Sequence, residues 1–591
     1  MAVMTGPPLQ AARVSGAAAL LWLLAVAQGH GFPLDPATDP GGPVPAGTEL
    51  AAPDANDLRH QLQLATGLAA PGGGGWTIVP RVDVEEMFND NILQLHSPRR
   101  WDLITLISPG IAIAGDEPRV QMAFDYSPTL QIYARTGPEN ALTQQLNGTA
   151  LVTMVPDLAY FDLRANTGVT ASNGLVGAGG GGTGGIGTAN GTAAPTGGTA
   201  GLSKANRTQI ASFEISPYLV RRFGDIGSGK IGVSATKSDF DSTTGFASAP
   251  FPTGGGNGTS LLTTEQFGQF TTGEVLEQFQ DVINIDLTQS TSRTNQLVNF
   301  TTGATTSVPS STATSRREIA SDQLNYAVNP WAMVFVSIGH EDISYSQRGA
   351  RNISGLTWQA GTTIEPNPDS EITVSYGHQN GTDAFQGNGR YALTARTTIT
   401  GSYSNTVGTA LEQAQRQLQL EAIGSNGQPI NGANGAPLLI NQYVQGNVQA
   451  VYRYNTISLN VQTTLDRDVF TAGLILGTQT SAGGTASQTT SRSGLFQWQH
   501  ALNPDLLLNT SMSYTTQSST GGEVCFGTLA FECASNGTGN TASLAAGAVL
   551  QYTMTDTLSS HLRYAFYDRM SPVLSNRIYQ SLIVAGFTKT F

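Results

Sequence analysis

The stretch Thr456-Ile-Ser-Leu-Asn-Val-Gln-Thr-Thr-Leu465 decides the fold class. Ile457, Leu459, Val461, Thr463 and Leu465 fall on one face of an extended chain, and Ser458, Asn460, Gln462 and Thr464 on the other. Side chains alternate sides with period two only in a strand. Residues 506–515 repeat the pattern, with Leu506, Leu508, Thr510, Met512 and Tyr514 opposite Asn509, Ser511, Ser513 and Thr515. So do residues 444–453, where Val444, Gly446, Val448, Ala450 and Tyr452 oppose Gln445, Asn447, Gln449 and Arg453. Strands of soluble sandwiches run about 5–6 residues. These segments run about 10, the length a tilted strand needs to cross a bilayer.

The composition agrees. Only 12% of the 591 residues are charged, with a net charge of −13, and Gly numbers 69. Soluble domains carry about 25% charged residues. The acidic balance argues against a nucleic-acid binder. The chain has 22 Phe, 17 Tyr and 6 Trp, too many aromatics for a disordered polymer. Polytopic helical proteins need repeated apolar runs of about 20 residues, and none follows residue 27. A β-protein with one apolar and one polar sheet face fits: an all-β, transmembrane, antiparallel up-and-down barrel.

The N-terminus has the form of a secretory signal: Arg13, an apolar run over 17–27, and Ala25-Val-Ala27 before a cut that leaves Gln28 first. Residues 28–75 are rich in Pro, Gly and Ala and are expected to be a disordered periplasmic linker. The barrel is expected over 76–591. At its end, Tyr579, Ile583, Ala585, Phe587 and Phe591 share one face. Phe591 resembles the terminal aromatic read by the outer-membrane assembly machinery, and Lys589 departs from that pattern.

Connections fall into two sets. Short turns are expected at Gly115–Pro118, Val155–Asp157, Asn329-Pro330, Glu365–Asp369, Asn503–Asp505 and Thr555–Thr557. Long Gly/Ser/Thr-rich connections are expected at 172–205, 242–318, 406–440, 469–487 and 518–541. Short periplasmic turns and long extracellular loops are the habit of bacterial barrels, and the spacing suggests about 18–22 strands, with about 20 as the best count. Two loops carry capping boxes before helical spacing, Thr271-Thr-Gly-Glu274 and Thr409-Ala-Leu-Glu412. Either pattern fits a helix on the rim. The first also fits a constriction folded into the lumen, with Glu274, Glu277 and Asp281 tuning passage.

Catalytic and metal signals are weak. Gly177–Gly182 formally matches a dinucleotide loop but opens no helix. His340 and Asp342 share a strand face without a third partner. No His pair has metal-ligand spacing, so no metal, no cofactor and no enzyme activity are expected. Cys525 and Cys533, with seven residues between them in an exported loop, are expected to form a disulfide. The lumen is expected to be lined by Gln445, Asn447, Gln449, Arg453, Ser458, Asn460, Gln462, Asn509, Ser511 and Arg563, a wall of mostly uncharged hydrogen-bonding groups.

Trp76 to Ile92, Asp102 to Gly110, Asp125-Tyr-Ser-Pro128, Tyr133, Thr357-Trp-Gln-Ala-Gly361 and Glu365-Pro366 together resemble the outer-membrane β-barrel proteins associated with PEP-CTERM/exopolysaccharide loci. The resemblance implies a bacterial outer-membrane protein with a role in polysaccharide export, working in the lipid bilayer beside export components. The expectation is therefore a porin-like passive conduit for exopolysaccharide or neutral hydrophilic solutes. The alternative is a structural or adhesive surface barrel with functional loops and no open channel.

Overall fold

A repeated Asn-Pro turn sets the strand ends. Asn329, Asn367 and Asn503 each accept a hydrogen bond at Oδ1 from the backbone N–H two residues on, at 3.0, 3.1 and 2.9 Å. Such Asx turns reverse the chain in two residues, which suits an antiparallel hairpin. The computed structural model describes residues 75–171, 207–241, 258–273, 278–294, 297–299, 305–307, 311–347, 350, 352–423, 429–431, 451–482, 488–520, 524–525, 533–534, 539–572, 574 and 577–591.

The strands are β1 (Gly75–Asn89), β2 (Asp102–Glu117), β3 in two pieces (Val120–Tyr126, Thr129–Tyr133) and β4 in two pieces (Ala141–Thr143, Leu146–Val155). Next come β5 (Ala159–Ala171), β6 (Arg207–Arg222), β7 (Gly227–Asp241), β8 (Gly258–Thr272), β9 (Phe279–Thr294), β10 (Ser311–Asn329) and β11 (Ala332–Tyr345). They continue with β12 (Ile353–Asn367), β13 (Ser370–Gln379), β14 (Thr382–Thr394) and β15 (Thr397–Thr409), then helix α1 (Ala410–Leu420). The last are β16 (Val451–Thr464), β17 (Asp468–Ser481), β18 (Gln488–Asn503), β19 (Leu506–Thr520), β20 (Gly539–Thr555), β21 (Leu558–Met570) and β22 (Ile578–Thr590).

Each strand pairs antiparallel with its sequence neighbours, and β1 pairs with β22 from Arg81↔Thr590 to Asn89↔Leu582. The sheet is therefore a closed barrel of 22 strands, slightly larger than the best count from sequence. Closure removes the two free edges that would otherwise present unpaired backbone groups to lipid. Turns at one end are two to six residues long, and the longer connections gather at the other end.

Two stretches expected as loops contain strands. Residues 242–318 hold β8, β9 and the start of β10, and residues 469–487 hold most of β17. Of the helix expected after Thr271, residues 279–283 lie in β9 instead, and 274–277 lie outside the described residues. Phe279, Ile283 and Ile285 lie exposed on one face of β9, while Val282 is buried on the other. Apolar residues on both faces produced a helix-like spacing in an extended strand.

Alternation sorts the two barrel faces. Val336, Ile338, Leu356, Phe385, Leu459, Phe496, Met512, Leu562, Ile583 and Phe587 are large, apolar and exposed on the outside. Aromatic pairs mark both margins of this band, including Phe470 stacked on Trp498 at 6.2 Å near the short turns and Tyr376 against Phe385 at 4.8 Å towards the other end. An apolar belt between aromatic girdles is what a bilayer requires. The protein is an outer-membrane barrel in a bacterial envelope.

Candidate functional site: the lumen, its seam and its inner helix

Hydroxyl pairs bridge neighbouring strands across much of the lumen face. Ser402 and Ser458 lie 2.7 Å apart, Ser493 and Thr515 3.0 Å, and Ser212 and Ser238 2.9 Å. Of the residues expected there, Ser458, Asn460 and Arg563 are buried on this face. Gln462, Asn509 and Ser511 are half-buried on it. Arg453 reaches inward by its guanidinium rather than by strand parity. In the unbroken strand β16 it has the parity of Ile457 and Leu459, and its Nη2 donates to the Asn380 carbonyl at 3.0 Å. Gln445, Asn447 and Gln449 lie outside the described residues.

Asp281, expected in a constriction, lies on β9 with the parity of the exposed Ile283 and Ile285, so it sits on the outer face near the short turns. Glu274 and Glu277 lie outside the described residues. The backbones of Cys525 and Cys533 face each other in a small hairpin, but their side chains are outside the described part. Phe591 follows β22 and is exposed, its N–H donating to the Pro80 carbonyl at 2.9 Å. Lys589 Nζ turns to Thr557 Oγ1 at 2.6 Å. His340 and Asp342 are exposed on the outer face of β11, away from the lumen, while Glu341 between them points inward and is buried.

The barrel seam carries charges that went unnoticed in the sequence. Arg81, Asp83 and Glu85 alternate with Val82 and Val84, so all three project inward from β1. Arg81 makes a two-pronged ion pair with Asp125 of β3, at 2.6 and 2.8 Å. Asp83 accepts a hydrogen bond from Thr588 of β22. Glu85 lies 3.0 Å from His561 Nε2 of β21, two strands away. Gly586 of β22 lies between them, and a Cβ there would stand 2.7 Å from Glu85 Cγ and 2.8 Å from His561 Cε1. Its missing side chain lets the pair meet over the strand.

Towards the loop end the same wall is packed like a soluble core. Met87, Ile104, Leu106, Tyr567, Leu582 and Val584 form one buried cluster, and Ile92 of the β1–β2 loop packs into it. The period-two run Arg-x-Asp-x-Glu was the available signal, because three like-spaced charges on one strand face must find partners on one side of the sheet.

On the other side of the lumen, α1 confirms the second helix pattern. Its capping box closes: the Glu412 N–H donates to Thr409 Oγ1 at 3.2 Å, and Glu412 Oε2 accepts from the Thr409 N–H at 2.7 Å. The turn is tight, because a Cβ on Gly408 would lie 2.9 Å from Glu412 Oε2 and 3.0 Å from Arg416 Nη2. From the end of β15, the helix reaches β6, β7 and β8, nine, eight and seven strands away around the wall. There Leu411 and Ala414 pack on Ile210, Phe240 and Leu261. Gln415 Nε2 donates to Ser238 Oγ at 2.9 Å, Thr263 Oγ1 donates to Gln415 Oε1 at 2.6 Å, and Ser315 of β10 donates to Glu412. Burial pushes the Arg416 guanidinium below its ordinary pKa, with Glu412 opposing.

Nearby, the β13–β14 turn also leans inward. Asn380 and Gly381 have φ of 56° and 67°, the left-handed pair of a two-residue hairpin. Both backbone N–H groups donate to the Glu341 carboxylate, at 3.0 and 2.9 Å. Asn380 Oδ1 accepts from Arg317 at 3.2 Å. The sequence anticipated a loop entering the lumen; the described element that does so follows the second capping box, whereas Asp281 after the first lies on the outer face.

No protein-family model and no curated protein matches the chain. Solved structures do. The siderophore receptor PirA from Acinetobacter baumannii is similar at 10% identity and TM-score 0.44, covering 87% of this chain and 80% of that one. The open form of the ferric-catecholate import receptor Fiu from E. coli K12 is similar at 10% identity and TM-score 0.46, covering 87% and 81%. The FrpB iron transporter from Neisseria meningitidis is similar at 11% identity and TM-score 0.45, covering 89% and 83%. The passive-conduit expectation is corrected here. The similar barrels are named as receptors and an iron transporter, not as open pores or polysaccharide exporters. Within this chain, α1 and the inward β13–β14 turn bridge the lumen walls. Neither the conduit nor a surface barrel whose loops alone do the work is carried forward.

Proposed function

We propose that the protein is a gated receptor for ligand-selective uptake across the outer membrane. The observation that carries this reading is α1, held against the far wall by a small apolar contact and a few polar bonds. A contact of this kind is strong enough to hold a resting position and weak enough to yield. Hydrogen bonds of this sort contribute about 0.5–1.5 kcal/mol each. A ligand that bound better with α1 displaced would shift the population towards the open lumen. The reading needs no catalysis, since the chain would bind and release its cargo unchanged. Ferric siderophores, the cargo class named for the similar barrels, are the first ligands to try.

The test is conductance of the full chain in planar bilayers. The wild type should pass little current, and removal of residues 410–420 should open the lumen and raise conductance by about tenfold or more. Equal currents from the two proteins would sink the gate. A ferric catecholate that binds the wild type should raise its conductance towards that of the deletion.

A further inference from the structure

The lipid-facing rim treats its cations in two ways. At the loop end of β7, Lys237 pairs with Asp239 at 3.1 Å, and on β10 Arg316 pairs with Glu318. Both pairs lie on the outer face and are neutral. Across the loop ends of β18 to β22 the pattern is different. A cleft of about 1000 Å³ is lined on its outward side by His96, Arg99, Arg492 and Arg577, with Asp568 as its acid, while Arg569 borders it from the buried inner face. Among the described residues, no carboxylate lies within 4 Å of Arg99, Arg492 or Arg577 in an ion pair, and all three are exposed. Arg99 instead lies flat over the Tyr579 ring at 4.6 Å.

The cleft opens on the side that faces lipid. Arg492 pairs across the sheet with Thr516, Thr516 with Ala542, and Asp568 with Tyr579. Further down the same strands, the outward positions of this parity are Phe496, Met512, Tyr514, Leu562, Tyr564 and Ile583, all exposed. A concentrated positive charge thus stands directly above an apolar wall. Guanidinium groups recognise phosphate through paired N–H donors, and aromatic faces hold them in place without neutralising them. A soluble anion would have no use for the apolar wall beneath. A lipid with a phosphorylated headgroup uses both parts.

We propose that this cleft binds the phosphorylated headgroup of an outer-leaflet glycolipid, whose acyl chains lie along the outer faces of β18–β22. The site is independent of the lumen gate, so either can fail alone.

The probe is diphosphoryl lipid A, added to the full chain reconstituted in phosphatidylcholine vesicles. Retained lipid is read by native mass spectrometry, and heat-dependent gel mobility verifies that each variant is folded. Wild type should retain the lipid. Arg99→Gln, Arg492→Gln and Arg577→Gln should each weaken retention by about tenfold. Lys237→Gln with Arg316→Gln, the paired cations elsewhere on the rim, should leave retention unchanged, and lipid A stripped of both phosphates should bind wild type poorly. Equal retention by wild type and a folded triple variant overturns the site. Complete displacement by inorganic phosphate overturns the lipid assignment in favour of a soluble anion.

Discussion

Two walls of one barrel are built on different terms. The seam wall, from β20 round to β3, packs an apolar cluster and two-stranded charge pairs into the lumen face. The opposite wall, from β6 to β10, is mostly hydroxyls and amides, and its apolar cover comes from α1. The first joins strands of the ring itself through buried ion pairs and a large apolar cluster. The second meets α1 through a smaller apolar cluster and a few polar bonds. The difference teaches where the proposed gate can act: the seam holds the barrel closed, and α1 is the element whose displacement the proposal requires.

Breaking the seam should have the largest effect. Arg81→Ala leaves Asp125 buried without its cation, and loss of one partner of a buried ion pair costs about 3–5 kcal/mol. The folded band in a heat-dependent gel-shift series should disappear at a clearly lower temperature than wild type. An unchanged melting profile would mean that the seam pair contributes little. Gly586→Ala tests the same wall more gently. Its methyl would press on Glu85 and His561, and overpacking of this kind costs about 1–3 kcal/mol.

The α1 wall should respond in function before stability. Gln415→Ala removes the bonds to Ser238 and Thr263, a loss of about 1 kcal/mol. It should raise bilayer conductance while leaving the gel-shift temperature near wild type. A large drop in that temperature with no change in current would reverse the assignment of the two walls. Lys237→Gln, on the exposed outer rim, should change stability by no more than about 0.5 kcal/mol and sharpens the contrast as a control.

Much of this was legible from single segments. The alternation of 456–465 placed Ser458 and Asn460 on the lumen face, and the Asn-Pro pairs marked turns that the structure contains. The Thr409–Glu412 box announced a helix, because a capping box is a local arrangement of four residues. Other features were not local. Val282 and Ile283 are adjacent apolar residues on opposite faces, and only pairing with β10 distinguishes them from a helix turn. Arg453 was assigned to the lumen from the parity of 444–453; strand β16 gives it the parity of Ile457, and only its bond to the inward Asn380 turn brings its guanidinium inside.

The sequence by itself determined the class of the molecule, its membrane and its approximate size, because period-two alternation and turn chemistry depend on near neighbours along the chain. Tertiary structure decided which wall carries the charge pairs and which wall α1 covers. Arg81 meets Asp125, Glu85 meets His561 and Gln415 meets Ser238 only when distant strands close into a ring, and no local pattern encodes contacts separated by so much chain.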